Sequence, residues 1–189
     1  MDLKGIKLTA VLLIAVLMFG LLLGGKYVYG KVTSDQPLFK SFQNVPEVTG
    51  VQILKNTKKE MEILVTLAEV DDLAVAYHNL AQMAQPVAGD RECRLILTDA
   101  RNEILAKAYY DIHYLIQESI ATGAFAAMAD KVEERIGRTE INRYRIVVGN
   151  EYVFVQLHHD GQYLYEIIPR QEKTAVTVVP ADTVRRIKG

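Results

Sequence analysis

Tryptophan is absent from this 189-residue chain, cysteine occurs once, and neither sign of charge dominates, with 22 basic against 23 acidic side chains. Each shortage excludes something. A single thiol, Cys93, rules out an intramolecular disulfide framework and any cysteine-rich zinc or iron–sulfur site. Balanced charge leaves no global field to attract a polyanion, so a nucleic-acid partner is not expected. No glycine-rich phosphate loop, Gly-x-Ser-x-Gly elbow or His-Glu-x-x-His pair occurs, which removes the common nucleotide, serine-hydrolase and zinc-protease signatures. No cofactor is implied. The length suits one domain plus an accessory segment.

That accessory segment is the longest apolar run. Leu8 to Gly25 contains no charged side chain, and at ~1.5 Å rise per residue it spans roughly 27 Å, enough to cross a hydrocarbon core. A helix satisfies its own backbone there, and Lys4, Lys7 and Lys26 flank it at headgroup depth, with Tyr27 and Tyr29 placed for an interfacial belt. A cleaved signal peptide is the competing reading. The run exceeds the usual ~7–15 apolar residues of such a peptide, and no good small-x-small site comes after it, so an uncleaved signal anchor is predicted. Residues 1–7 form a basic leader of the kind that stays in the cytoplasm while the rest of the chain is exported. The expected arrangement is a single-pass protein of the cell membrane, held in the lipid bilayer by Leu8–Gly25, with its C-terminal domain outside.

Residues 26–47, with Ser34, Asp35, Pro37, Asn44 and Pro46, read as a juxtamembrane tether. Leu38, Phe39 and Phe42 give it apolar side chains, but every core element is expected beyond Gln43.

From 48 to 170 the periodicity predicts one α+β (mixed α/β) domain of order ββαβ-ααβββ. Val51 and Ile53, then Met61, Ile63, Val65 and Leu67, alternate about the polar Asn56–Lys59 and form a hairpin. Asp71 and Asp72 stand at N-cap positions before Leu73, Ala76, Tyr77, Leu80 and Ala84, a helical face that Pro86 is expected to end. Cys93–Thr98 has strand length. Leu105, Ala108, Ile112 and Ile116 line a long helix capped by Asp99 or Asn102, and Phe125, Met128, Val132 and Ile136 line the next. Three alternating runs separated by Gly149-Asn150 and Asp160-Gly161 predict an antiparallel three-stranded meander. Residues 171–189 form a tail with a possible edge strand at Thr174–Val179.

Chemistry is sparse. His158, His159 and Asp160 are ligand types, but adjacent strand residues point to opposite faces, and Asp-Gly is foremost a hairpin signal. Asp111, His113, Gln117 and Glu118 make a polar stripe indistinguishable from a solvated helix face. Tyrosine is the distinctive usage, with ten copies. Tyr110, His113 and Tyr114 on the long helix, with Tyr152 and Phe154 in the meander, form the candidate interaction surface, since exposed aromatic side chains are common anchors for partners. The sequence thus points to a membrane-anchored, extracytoplasmic, non-enzymatic binding module for a protein, peptide or envelope component. Its alternative is a membrane-bound hydrolase using His113, His158 or His159 with Asp111 or Asp160.

Overall fold

The computed structural model describes Phe42, residues 45–171 and residues 177–180. The leader, the apolar run at 8–25 and most of the tether lie outside the described residues. Among the described residues no helix is long and apolar enough to cross a membrane. Those residues all fall in one unit spanning 41–189 and form a mixed α+β fold with two sheets and three helices.

Strands β1 (Val48–Asn56) and β2 (Glu60–Leu67) form the expected antiparallel hairpin, closed where Thr57 N donates to Glu60 O. Helix α1 (Leu73–Ala88) comes next, capped by Asp72, whose carboxylate accepts from Val75 N at 3.1 Å. It carries the chain across to β3 (Glu92–Asp99), which pairs parallel to β2, the geometry that requires such a crossover. Pro86 does not end α1. Its missing N–H removes one bond in the last turn, but the helix continues to Ala88 because Ala84 and Ala88 are buried and Arg91 donates to the Val87 and Ala88 carbonyls. The tail strand β7 (Thr177–Pro180) adds parallel to β3, giving the order β1-β2-β3-β7.

Helices α2 (Glu103–Thr122) and α3 (Phe125–Ile136) then lead into the meander of β4 (Arg143–Val148), β5 (Tyr152–His159) and β6 (Gln162–Pro169). Asn102, not Asp99, caps α2, accepting from Leu105 N at 2.8 Å. Asp160 and Gly161 both adopt positive φ, the two-residue turn that Asp-Gly favours. The other turn sits one residue later than the sequence suggests: Gly149 N donates to Tyr152 O, leaving Asn150 and Glu151 at the tip.

Strand β5 is buried along both faces. Val153, Val155 and Leu157 join Leu105, Ile112 and Ile116 of α2 and Met128, Val132 and Ile136 of α3 in one apolar cluster. The alternate residues Phe154, Gln156 and His158 are buried too, because α1 and the connector from β2 to α1 cover the reverse face. The expectation that Phe154 belongs to an open interaction surface is therefore corrected. Alternation held, but the sheet lies between layers.

A second correction concerns the tether. Phe42 and Val45 are both buried, with Val45 N bonded to Phe42 O, so the core begins before Gln43. An apolar ring next to a folded domain gains more by burial than a linker reading allows.

Candidate interaction site

Helix α2 is a two-sided element. Leu105, Ala108, Ile112, Ile116 and Ser119 face inward, and Gly123 in the left-handed region ends the helix with its N–H on Ser119 O. On the outer face Tyr110 and Tyr114 are 61% and 63% exposed, among the most exposed large apolar side chains described. One helical turn apart, their rings stand edge to face at 5.9 Å. The neighbouring Tyr110 phenol pushes the pKa of Tyr114 up. His113 lies between them, 3.7 Å from the Tyr114 ring centroid, and its Nδ1 is 2.7 Å from Tyr110 O, which fixes the ring orientation. Three rings thus form a fixed aromatic ridge on a rigid helix.

The remaining two candidates belong elsewhere. Tyr152 and Phe154 lie on the face of β5 opposite the α2 packing, in a cluster with Tyr77 and His78 of α1. Phe154 is only 2% exposed and so is closed to a partner, because it fills the space beneath α1. Tyr152 is half-buried and lines a concavity of about 270 Å³ with Tyr77, Ala81, Ala84, Arg91 and Cys93. Burial and the Tyr152 phenol raise the Tyr77 pKa, and burial raises that of the Cys93 thiol, which therefore stays protonated. The five residues therefore form two separate sites, and only Tyr110, His113 and Tyr114 make an open surface.

The histidines do not converge. His158 Nδ1 is 2.9 Å from Glu69 and 3.4 Å from Arg143, and burial together with that guanidinium lowers its pKa despite the carboxylate. His159 faces the other way, with Nδ1 2.7 Å from Glu140 O and Nε2 3.6 Å from Asp160. His113 is held within α2. Among the described residues no three His, Cys, Asp or Glu side chains are placed to share a metal ion.

Sequence reasoning missed the polar groups inside. Asp99 is buried at the end of β3, where it accepts from Arg101 and from Tyr165 N, while Arg101 also reaches Glu166 at 2.9 Å. Burial raises the pKa of Glu166 against the pull of Arg101, and burial beside Glu166 raises that of Tyr109. Asp99-Ala100-Arg101-Asn102 reads as a solvated stretch, and only its position at a strand end next to a helix cap could have hinted otherwise. Ala100 also forms a bridge to Tyr163, joining the two sheets at this point.

The chain matches no protein-family model, and comparisons with curated proteins and with solved structures likewise gave no match, so no relative supplies a residue role.

Proposed function

We propose that this chain is a membrane-tethered, non-enzymatic binding module whose α2 ridge receives a protein or peptide partner outside the cytoplasm. The observation that carries the reading is the open aromatic ridge of Tyr110, His113 and Tyr114, two of whose rings are more than half exposed on one helix face. Rigid amphipathic rings with few rotatable bonds lose little entropy on binding, which is why Tyr is enriched at interface anchors. The tether and the apolar run at Leu8–Gly25 support a membrane location: a helix of that length and flanking charge suits a bilayer.

Photo-crosslinking tests the proposal. A benzophenone amino acid replacing Tyr110 or Tyr114 in the full chain, irradiated in native membranes, should yield a discrete adduct that the same probe at exposed Asp130 on α3 does not. Equal labelling at all three positions, or none, refutes the ridge. A reporter active only outside the cytoplasm, fused after Gly189, tests orientation separately.

A further inference from the structure

We propose that the outer edge of β4 pairs with β4 of a second copy of this chain, by antiparallel strand addition about a two-fold axis at Ile146. The proposal stands on the backbone. Gly149 N bonds Tyr152 O, so in the antiparallel ladder with β5 the alternate positions Val147, Arg145 and Arg143 direct their main-chain groups inward. Tyr144, Ile146 and Val148 therefore point N–H and C=O outward, and among the described residues no strand pairs with that edge. Unpaired main-chain groups on a regular strand are a template for another strand.

Two other outer edges carry full-length strands, β6 and β1. On β6 the outward main-chain groups are already engaged, since Tyr163 exchanges bonds with Ala100 while Tyr165 N donates to Asp99 and Tyr165 O accepts from Arg101. The remaining edge, β1, differs in regularity. Its ladder carries irregularities between Val48 and Gly50 and between Ile53 and Lys55, which interrupt a regular edge. The β4 ladder runs from Arg143 to Val148 without a break.

Side chains select the second copy as occupant. Centred on Ile146, a two-fold places Ile146 against its equivalent and Tyr144 against Val148 of the other copy. Tyr144 and Val148 are among the exposed large apolar side chains of the molecule, and aromatic against β-branched is a favourable cross-strand pair. Every outward main-chain group from 144 to 148 then finds a partner. In the same register Arg145 falls opposite Val147 and Arg143 opposite Gly149, so no like charges oppose one another. A two-fold at Arg145 instead sets two guanidinium groups face to face and is disfavoured. Both arginines already have acidic partners within their own copy, Arg143 on Glu69 and Arg145 on Asp72, each at 2.7 Å. Pairing unites two three-stranded meanders into one six-stranded sheet through an isologous contact.

Cysteine crosslinking of the full chain in detergent micelles tests this. Facing residues of a hydrogen-bonded antiparallel pair have Cα atoms about 5.5 Å apart, within disulfide reach. In a Cys93→Ser background, Ile146→Cys should give mostly covalent dimer under mild oxidation, and Gln52→Cys on β1 little. Tyr144→Pro removes an outward N–H and should shift the sedimenting species of the otherwise unmodified chain to monomer, with its far-UV circular dichroism unchanged. Should that variant fail to fold, Val147→Lys, which faces Arg145 of the other copy, should have the same effect. A monomer at every concentration tested overturns the proposal. So does a dimer that survives both substitutions, or a position-146 crosslink to a different polypeptide.

Discussion

The hydroxyl of Tyr165 in β6 accepts from the backbone N of Val70 at 2.8 Å, reaching across the sheet to a residue 95 positions earlier. It does not act alone. Gln156 of β5 accepts from Leu73 N and donates to Val70 O, and the Tyr163 hydroxyl donates to Leu67 O. The connector between β2 and α1 thus satisfies its main-chain groups on meander side chains, which is how an irregular segment is tolerated inside the fold.

Tyr165→Phe strands the buried Val70 N–H without its acceptor and should cost about 1–3 kcal/mol, read as a lower urea midpoint at unchanged slope. Tyr163→Phe, at a less buried ring, should cost under about 1 kcal/mol. Equal costs at the two positions would show that the clasp does not depend on burial.

Both faces of β5 should resist change. Val155→Asp places a carboxylate in the apolar layer beneath α2 and should unfold the domain, and Phe154→Ala beneath α1 should cost about 3–5 kcal/mol. Tyr152→Ala, at a half-buried ring, should cost clearly less than either. A harmless Phe154→Ala would mean that α1 does not seal the reverse face.

Removing one member of the buried ionic hub should hurt more than removing both. Arg101→Met leaves Asp99 buried with its charge uncompensated, at about 3–5 kcal/mol, whereas adding Asp99→Asn should recover part of that loss. A double-mutant cycle with no coupling would contradict the geometry.

Acid should weaken the contact between β5 and the connector. His158 binds protons less readily when folded than at its ordinary value near 6.5, so the unfolded chain holds the extra proton. Its contribution is complete above that value and is lost as pH falls through the window toward the lowered folded value. Glu166 has the reverse slope, since its raised folded pKa makes stability fall as pH rises past 4.5. Thermal midpoints at pH 7.5 and 5.5 should therefore differ less in His158→Gln than in the unmodified chain.

Phe42 should behave as core. Phe42→Ala is expected to lower stability by about 3–5 kcal/mol, and a polypeptide beginning at Gln43 should melt lower than one beginning at Ser41. Identical melting of the two would return Phe42 to the tether.

Local rules carried most of the element pattern. Two-residue alternation in Met61–Leu67 and Val153–Leu157, helical spacing in Leu105–Ile116, the Asp72 and Asn102 caps and the Asp160-Gly161 turn each depend on neighbours a few residues away, so they are legible in the chain itself. The outward stripe of Tyr110, His113 and Tyr114 was legible for the same reason: its helix has one apolar face, and the rings lie off it. What alternation cannot say is whether a strand's second face meets water or another layer. That depends on α1, which is fixed by contacts more than sixty residues apart in the chain, and it moved Phe154 from surface to core. Burial of Asp99, Arg101, Gln156 and Tyr165 was equally hidden, since a polar side chain looks solvent-bound until the backbone group or charge that satisfies it arrives from a distant element.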